Sequence, residues 1–321
     1  MDYIQQAYKG IHEWSYYLVG LFIIFIAWQI IGGVPLGVAI FINAIDANNV
    51  SMDIANMSES LGKNLFLFLM LFTFAMGLIA LFFVNKYLHK QTLKNLTTAR
   101  QKVDWKRFWF MFILWGTLSI SLVMIDYYTF PEHYEINYKL IPFLILSIIA
   151  IVMIPLQTSF EEYLFRGYLM QGIGVNAKNK WLPLILTSVG FGLLHGANPE
   201  IEKLGWTLMI YYIGTGFFLG VMTLMDDGLE LALGFHAANN LFTALLITSD
   251  WSAFQTHSIL KDINEPEKIG FLEVLMPLFL MFILTIILSK KYKWNNWKEK
   301  LFGPVTPPTN IESEINTIGE S

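Results

Sequence analysis

The sequence predicts an all-α fold, a polytopic membrane helix bundle with about eight transmembrane helices. Of the 321 residues, 55% are hydrophobic and only 14% are charged, whereas a soluble domain usually carries about 25% charged residues. The mean hydropathy is +0.50. The apolar residues are concentrated in eight runs, most of them long enough to span a bilayer, which takes about 20 residues. Lys and Arg are enriched in alternate connectors, as the positive-inside rule requires.

The predicted spans differ in regularity. The first contains Gly32, Gly33 and Pro35 and is expected to be kinked or broken. The fourth is long and carries Pro155, so we expect a tilt or a kink. The fifth is the shortest. The eight spans cover residues 14–45, 64–88, 108–130, 140–172, 181–197, 206–225, 229–248 and 270–289.

The connector charges predict the orientation. The connectors after spans two, four and eight are rich in Lys and Arg. The opposite connectors are acidic or poor in basic residues; they are 46–63, 131–139, 198–205 and 249–269. The positive-inside rule therefore predicts both termini in the cytoplasm.

The domain organisation is simple. We predict one integral membrane bundle over residues 1–302 and a disordered cytoplasmic tail over 303–321, which is rich in Pro, Ser, Thr, Asn and Glu. The chain has no cysteine, which excludes disulfides, thiolate metal ligands and a cysteine nucleophile. The basic residues form no separate basic domain, so nucleic acid is not an expected partner.

Polar residues inside apolar spans mark a candidate site. Glu161 and Glu162 continue a long apolar run, and a charge at bilayer depth costs at least ~2.5–3.5 kcal/mol. They therefore need partners or a wet cavity. His195, His236 and Asn240 also lie in apolar spans. Counting ~1.5 Å per helical residue from the predicted cytoplasmic ends places these groups at overlapping depths.

The spacing of these residues suggests two chemistries. Glu162 and Arg166 are four residues apart and can pair on one helix face, while Glu161 is rotated by about 100° and can face a cavity. A carboxylate beside an imidazole can activate water, and a second His with an Asn can donate hydrogen bonds to an oxyanion. Alternatively, Glu161, His195 and His236 can hold Zn²⁺ with an open water position. The residues alone leave both mechanisms open.

Taken together, three motifs resemble a known family. They are Glu161-Glu162-x-x-x-Arg166, Phe191-x-x-x-His195 and His236-x-x-x-Asn240. Their order resembles the CPBP family of intramembrane endopeptidases (the Abi or type II CAAX proteases) over about residues 140–248. The resemblance implies an eight-helix bundle in the bacterial inner (cytoplasmic) membrane, with its pocket open to the cytoplasm. It also implies a membrane-associated protein or peptide substrate, of which prenylated CAAX tails are one example.

The resemblance also implies roles for the motif residues. In the family the first Glu and first His are assigned to water activation, which here are Glu161 and His195. The second His and the Asn, here His236 and Asn240, are assigned to oxyanion stabilisation. The remaining Glu and Arg of the first motif are implied to be supporting residues. The family includes proteins labelled metalloproteases, and a metal-free glutamate mechanism fits the same residues.

Two non-enzymatic functions compete with this interpretation. A non-catalytic immunity or scaffold protein would bind another membrane protein, but it need not keep the complete set of motifs. A proton-coupled transporter could use Glu and His as a relay, but the chain shows no repeated halves of the kind found in many transporters.

Other polar and small residues are interpreted as structural. Gly216 and Gly220 lie on one helix face and permit close helix approach. Asp226 and Asp227 predict a tight cytoplasmic turn. The remaining histidines fall at termini or connectors and are interpreted as solvated; they are His12, His89, His133 and His257.

Overall fold

The computed structural model describes residues 1–47 and 54–308. Fourteen α-helices of this part of the chain are α1 Trp14–Phe25, α2 Val34–Ala47, α3 Ile54–Leu61, α4 Lys63–Phe83, α5 Leu93–Thr97, α6 Trp105–Thr129, α7 Leu140–Glu162, α8 Met170–Ala177, α9 Trp181–Leu194, α10 Pro199–Leu204, α11 Leu208–Asp226, α12 Glu230–Leu246, α13 Phe271–Tyr292 and α14 Trp297–Phe302. Three π-helical segments extend α1, α4 and α7; they are Ile26–Ile31, Val84–Leu88 and Tyr163–Leu169. Three 3-10 segments are Ile4–Lys9, Pro131–His133 and His195–Ala197.

Six helical stretches of the described chain are long and apolar enough to cross a membrane. They are Trp14–Asn43, Lys63–Leu88, Trp105–Thr129, Leu140–Ala177, Leu208–Asp226 and Phe271–Tyr292. The prediction of a helical integral membrane protein is thus confirmed, but the count of eight spans is not. Predicted spans five and seven correspond to shorter helices, Trp181–Ala197 and the 17-residue α12. The cytoplasmic location of both termini stays a prediction.

The predicted break in the first span is present. The π-helical segment after α1 and a turn at Gly32 and Gly33 separate α1 from α2. A Cβ on Gly32 would lie 2.8 Å from the Thr73 Cα, so this glycine permits close approach to α4. The break places Trp28 with its ring centroid 5.1 Å from that of Phe160 on α7.

The helices that carry the three motifs are linked through α7 and its π-helical continuation, on which α12 and α9 respectively pack. α12 packs mainly on α6 and α7, and α9 packs on α11. A Cβ on Gly216 would collide with the Ser188 carbonyl, and one on Gly220 would lie 2.7 Å from the Leu184 side chain. The prediction that Gly216 and Gly220 permit close helix approach is therefore confirmed, with α9 as the partner.

A small sheet, absent from the all-α prediction, lies where the connectors after α6 and α12 meet. It contains β1 Tyr134–Ile136, β2 Ile247–Thr248 and β3 Leu260–Asp262, in the order β1-β3-β2. β1 pairs antiparallel and β2 parallel with β3. These strands of two or three residues are too short to produce a recognisable alternating pattern.

The opposite end of the bundle holds the N-terminal segment and the last described residues, up to 308. The segment Ile4–Lys9 packs on α8. Val305 is fully buried, and its N–H donates to the Lys178 carbonyl at 3.0 Å. The tail predicted to start at residue 303 thus remains packed against the bundle through Val305. Residues 309–321 lie outside the described part of the chain, so their predicted disorder remains a prediction.

The sequence interpretation is right about one feature of this end and wrong about another. Asp227 ends α11 in the left-handed region, with φ of 53°, which confirms the predicted turn. His89 was interpreted as solvated, and that interpretation is wrong. Its side chain is buried, with Nδ1 2.6 Å from the Ile11 carbonyl and Nε2 2.8 Å from the Tyr168 hydroxyl.

Candidate active site

The acidic motif lies where α7 passes into its π-helical continuation. The predicted Glu162–Arg166 pair is present, with Nη1 of Arg166 2.9 Å from Oε1 of Glu162, and both side chains are fully buried. Arg166 also donates to the Gly216 carbonyl at 3.2 Å, and its guanidinium lies 4.1 Å from the Phe191 ring centroid. Because buried charges need partners, these contacts fix the pair between α7, α9 and α11.

His236 lies between the two carboxylates of the motif. Its Nδ1 is 2.8 Å from Oε1 of Glu162, and its Nε2 is 3.4 Å from Oε2 of Glu161. An ionised carboxylate only accepts hydrogen bonds, so Nδ1–H donates to Glu162. Sequence reasoning paired Glu162 with Arg166 but missed that the same oxygen also accepts from His236.

A chain of side-chain amides orients Glu161. Gln157 Nε2 donates to Oε1 of Glu161 at 2.7 Å, and Asn240 Nδ2 donates to Gln157 Oε1 at 3.1 Å. Asn239 donates to Asn240 Oδ1 at 3.1 Å and accepts from the Trp115 indole at 3.1 Å. Gln157 and Asn239 were not among the predicted site residues. The available signal for Gln157 was a polar side chain one turn before Glu161 in an apolar span.

The other oxygen of Glu161 is free for chemistry. Oε2 is buried and accepts no hydrogen bond in the described part of the chain, although Nε2 of His236 lies 3.4 Å away. Since Oε1 is held by Gln157, Oε2 is the oxygen that can accept a proton from a bound molecule.

His195 reaches the site from the end of α9. Its Nδ1 lies 2.9 Å from the Phe191 carbonyl. A carbonyl only accepts, so Nδ1 carries the proton and Nε2 of the neutral ring is left as an acceptor. The imidazole stacks on Tyr212 at 4.3 Å between ring centroids. The Phe191 ring lies 4.8 Å from that of His195 and 5.8 Å from that of His236, so it packs against both imidazoles.

All four predicted catalytic side chains line one cavity of about 670 Å³, a volume typical of ligand sites. The walls include Glu161, His195, His236 and Asn240 together with aromatic side chains. The structure therefore brings together the groups that the sequence places on α7, α9 and α12.

Glu200 on α10 is a further carboxylate of the cavity wall that sequence reasoning missed. Its Oε1 accepts from the Ala253 N–H at 2.8 Å, which ties α10 to the connector after α12. Its Oε2 is buried without a partner among the described residues. Burial raises the pKa of Glu200 above its ordinary value of 4.5.

The alternative in which Glu161, His195 and His236 hold zinc is not favoured by the arrangement of these side chains. Within residues 1–47 and 54–308, no three His, Asp or Glu side chains converge closely enough to hold a metal ion. The donor set of Glu161, His195 and His236 therefore does not fit a zinc ion in this arrangement.

Comparison with known proteins identifies related sequences. The family model described as type II CAAX prenyl endopeptidase Rce1-like matches residues 139–242, a range that contains all the predicted site residues. The chain is also 31% identical over 247 residues to the uncharacterized protein YyaK of Bacillus subtilis (strain 168). That similarity covers 75% of this chain and 80% of the relative. No solved structure matches the chain significantly.

Proposed function

The chain belongs to the Rce1-like family of type II CAAX prenyl endopeptidases, and on that premise we propose that it hydrolyses peptide bonds of membrane-associated substrates with a water activated by Glu161. The observation that carries the proposal is the environment of Glu161. One of its oxygens is held by Gln157, while the other is unpartnered and borders the cavity shared with His195, His236 and Asn240.

The attacking water is held by two acceptors. It donates one hydrogen to Oε2 of Glu161 and the other to Nε2 of His195, whose Nδ1–H is committed to the Phe191 carbonyl. Glu161 then takes the first proton as the water oxygen bonds to the amide carbon. General-base assistance of this kind is worth about 10²–10⁴ in rate. No metal is needed for these steps.

The negative charge that develops on the amide oxygen is stabilised by α12. Asn240 uses one N–H on Gln157 and keeps its second N–H for the oxyanion. We assign the second contact to the oxyanion to His236, which lies one turn before Asn240 on α12 and is held between Glu161 and Glu162. As the C–N bond breaks, Glu161 passes the proton to the leaving nitrogen, and the new carboxylic acid loses its proton to solvent.

Glu162 and Arg166 do not touch the reacting atoms and act as positioning residues. Glu162 orients the imidazole of His236, and Arg166 compensates the negative charge of the Glu162 carboxylate. The fully buried pair therefore sets the rotation of α12 relative to α7.

The test uses purified protein in proteoliposomes with two internally quenched probes, a farnesylated CAAX peptide and its unprenylated counterpart. Glu161→Gln should lower the rate of whichever probe is cleaved by about 10²–10⁴-fold. Glu202→Gln, which changes an exposed glutamate outside the cavity lining, is the matched control and should cleave at the wild-type rate. Unchanged cleavage by Glu161→Gln would refute the proposed base.

The same variants separate the competing functions. A binding or scaffold protein would keep its biological effect after Glu161, His195 and His236 are all replaced, whereas a protease would lose it. A proton-coupled transporter would show pH-dependent flux in proteoliposomes without peptide cleavage.

A further inference from the structure

A second cavity, of about 520 Å³, lies between α11 and α13. No residue of the described chain lines both this cavity and the candidate active site. The two helices run in the same direction and meet at two places. A Cβ on Gly214 would collide with the Leu278 side chain, and further along the Trp294 indole donates to Asp226 at 3.0 Å. Between these contacts the helices leave an open channel, which we call the α11/α13 groove.

The walls of the α11/α13 groove are apolar. The side chains that form them are Phe217, Phe218 and Val221 of α11 and Met281, Phe282 and Ile286 of α13. Both helices are long and apolar enough to cross a membrane, so the groove faces hydrocarbon. From Leu278 to Lys290 it extends about 18 Å at ~1.5 Å per residue. One leaflet is about half of the ~30 Å hydrocarbon core, so the groove matches the length of a single acyl chain.

One end of the α11/α13 groove carries three hydrogen-bond donors. They are the Ser289 hydroxyl, the Lys290 ammonium and the Trp297 indole N–H. In the part of the chain that the structure describes, none of the three groups has a hydrogen bond or an ion pair. The remaining polar side chain of the lining, Thr285, donates to the Met281 carbonyl at 2.8 Å. The free donors are therefore confined to the end of the groove where α13 reaches the membrane surface.

The charge at this end is positive. Lys290 is the one charged side chain of the described groove lining, so no carboxylate there neutralises it. Lys293 and Lys298 follow in the sequence and form no ion pair within the described residues. Lys291, by contrast, lies outside the groove with Nζ 4.2 Å from the centroid of the Phe110 ring. Basic groups beside a spanning helix attract anionic lipid headgroups.

We propose that the α11/α13 groove binds an anionic phospholipid. One acyl chain lies along the apolar walls, and the phosphate oxygens accept hydrogen bonds from Lys290, Ser289 and Trp297. The apolar walls require a chain, the donors require a phosphate, and the positive end excludes a headgroup that carries its own cation. This site does not depend on the proposed peptidase function.

The position of the α11/α13 groove gives the lipid a structural consequence. Another face of α11 lines the active-site cavity through Tyr212 and Thr215. The Gly216 carbonyl of the same helix accepts from Arg166 at 3.2 Å. A lipid that fills the space between α11 and α13 therefore stabilises the helix that holds Arg166.

The test measures lipid binding by native mass spectrometry of the purified full-length protein in dodecyl maltoside. The probes are dioleoyl phosphatidylglycerol and dioleoyl phosphatidylcholine, which share their acyl chains, and inorganic phosphate. A surface Lys attracts an anionic lipid with a factor of roughly five in affinity. We therefore expect the wild type to bind phosphatidylglycerol at least about fivefold more tightly than phosphatidylcholine. Lys290→Gln should lose at least about fivefold in affinity for phosphatidylglycerol and little for phosphatidylcholine.

Two further variants separate the groove from the general surface charge. Lys291→Gln removes the same charge one residue away and outside the groove. At 0.15 M salt, where charges are screened over ~8 Å, it should change the affinity by less than about twofold. Thr285→Trp places a large side chain in the groove and should prevent binding of both lipids. If Thr285→Trp fails to fold, Lys290→Gln still decides, because its exposed side chain is not needed for packing.

Thermal unfolding gives an independent readout. Without added lipid, Lys290→Gln should unfold at the wild-type temperature. Phosphatidylglycerol should raise the unfolding temperature of the wild type more than that of Lys290→Gln, because a ligand stabilises the folded state in proportion to its affinity.

Equal losses of affinity in Lys290→Gln and Lys291→Gln would overturn the groove as the binding site. Equal affinities of the wild type for the two lipids would overturn the assigned headgroup. Displacement of the lipid by inorganic phosphate, or undiminished binding by a folded Thr285→Trp, would overturn the seat of the acyl chain. None of these measurements requires turnover, so absent peptide cleavage would leave their outcome unchanged.

Discussion

The buried pair of Glu162 and Arg166 gives a direct test of how the site is held together. Arg166→Met keeps a long, unbranched side chain but replaces the guanidinium with an apolar group. It removes the donors to Glu162 Oε1 at 2.9 Å and to the Gly216 carbonyl at 3.2 Å. Neither ion-pair side chain has any exposed surface, so water cannot replace the lost donor without local opening of the bundle. Among the described residues, His236 then remains as the single donor to the Glu162 carboxylate.

The magnitude follows from the burial of the pair. Removing one partner of a buried ion pair costs about 3–5 kcal/mol, because the remaining charge is left uncompensated. A neutral pair in the same place is often close to isoenergetic with the ion pair. The double variant Glu162→Gln/Arg166→Met should therefore lose less stability than Arg166→Met alone, a non-additivity that is expected for residues in contact.

Thermal unfolding of the purified protein in detergent measures both variants. At roughly 2–4 °C per kcal/mol, Arg166→Met should unfold on the order of 10 °C below the wild type. Lys102→Met, which removes an exposed cation from the connector before α6, is the control and should change the stability by no more than about 0.5 kcal/mol. A wild-type unfolding temperature for Arg166→Met, or a double variant less stable than the single, would refute this reasoning.

Three further predictions test the packing, the orientation of the base and the pH response. Gly216→Leu should lower the stability by at least about 1–3 kcal/mol, since a side chain there collides with α9, whereas Gly37→Leu, where nothing lies within 4 Å, should be tolerated; thermal unfolding distinguishes the two. Gln157→Leu removes a hydrogen bond to an ionised Glu161, which is worth about 1.5–3 kcal/mol. It should lower kcat about 10–100-fold with KM little changed, and an unchanged kcat would show that Glu161 needs no such support. Glu200 has a raised pKa, so the folded state keeps its proton to higher pH than the unfolded chain and stability falls as pH rises above 4.5 through the raised pKa. Unfolding temperatures of wild type and Glu200→Gln should therefore converge below 4.5 and diverge towards neutral pH with the wild type lower; parallel curves would contradict the burial effect.

The parts of the site that sequence could predict are those set within one helix. The four-residue separation of Glu162 and Arg166 predicts a pair on one helix face, and the structure shows it. The contacts of His236 with both carboxylates could not be predicted in the same way. They depend on the rotation of α12 against α7, which helical spacing does not specify.

The connector residues that line the cavity were also beyond the sequence. A depth counted from the predicted cytoplasmic end of a helix gives a distance along that helix, but not which connectors line the cavity. Connectors such as 198–200 and 247–254 contribute lining residues, and these connectors have no periodic pattern. The burial of His89 was missed for a related reason, because its partners Ile11 and Tyr168 come from distant parts of the chain.

The most direct test of the central claim is the cleavage rate of metal-stripped protein on the probe peptide, measured for the wild type and for Glu161→Gln. The account predicts that the stripped wild type keeps its full rate and that Glu161→Gln loses about 10²–10⁴-fold. Loss of the rate on stripping with recovery on adding zinc, or a wild-type rate for Glu161→Gln, would contradict it.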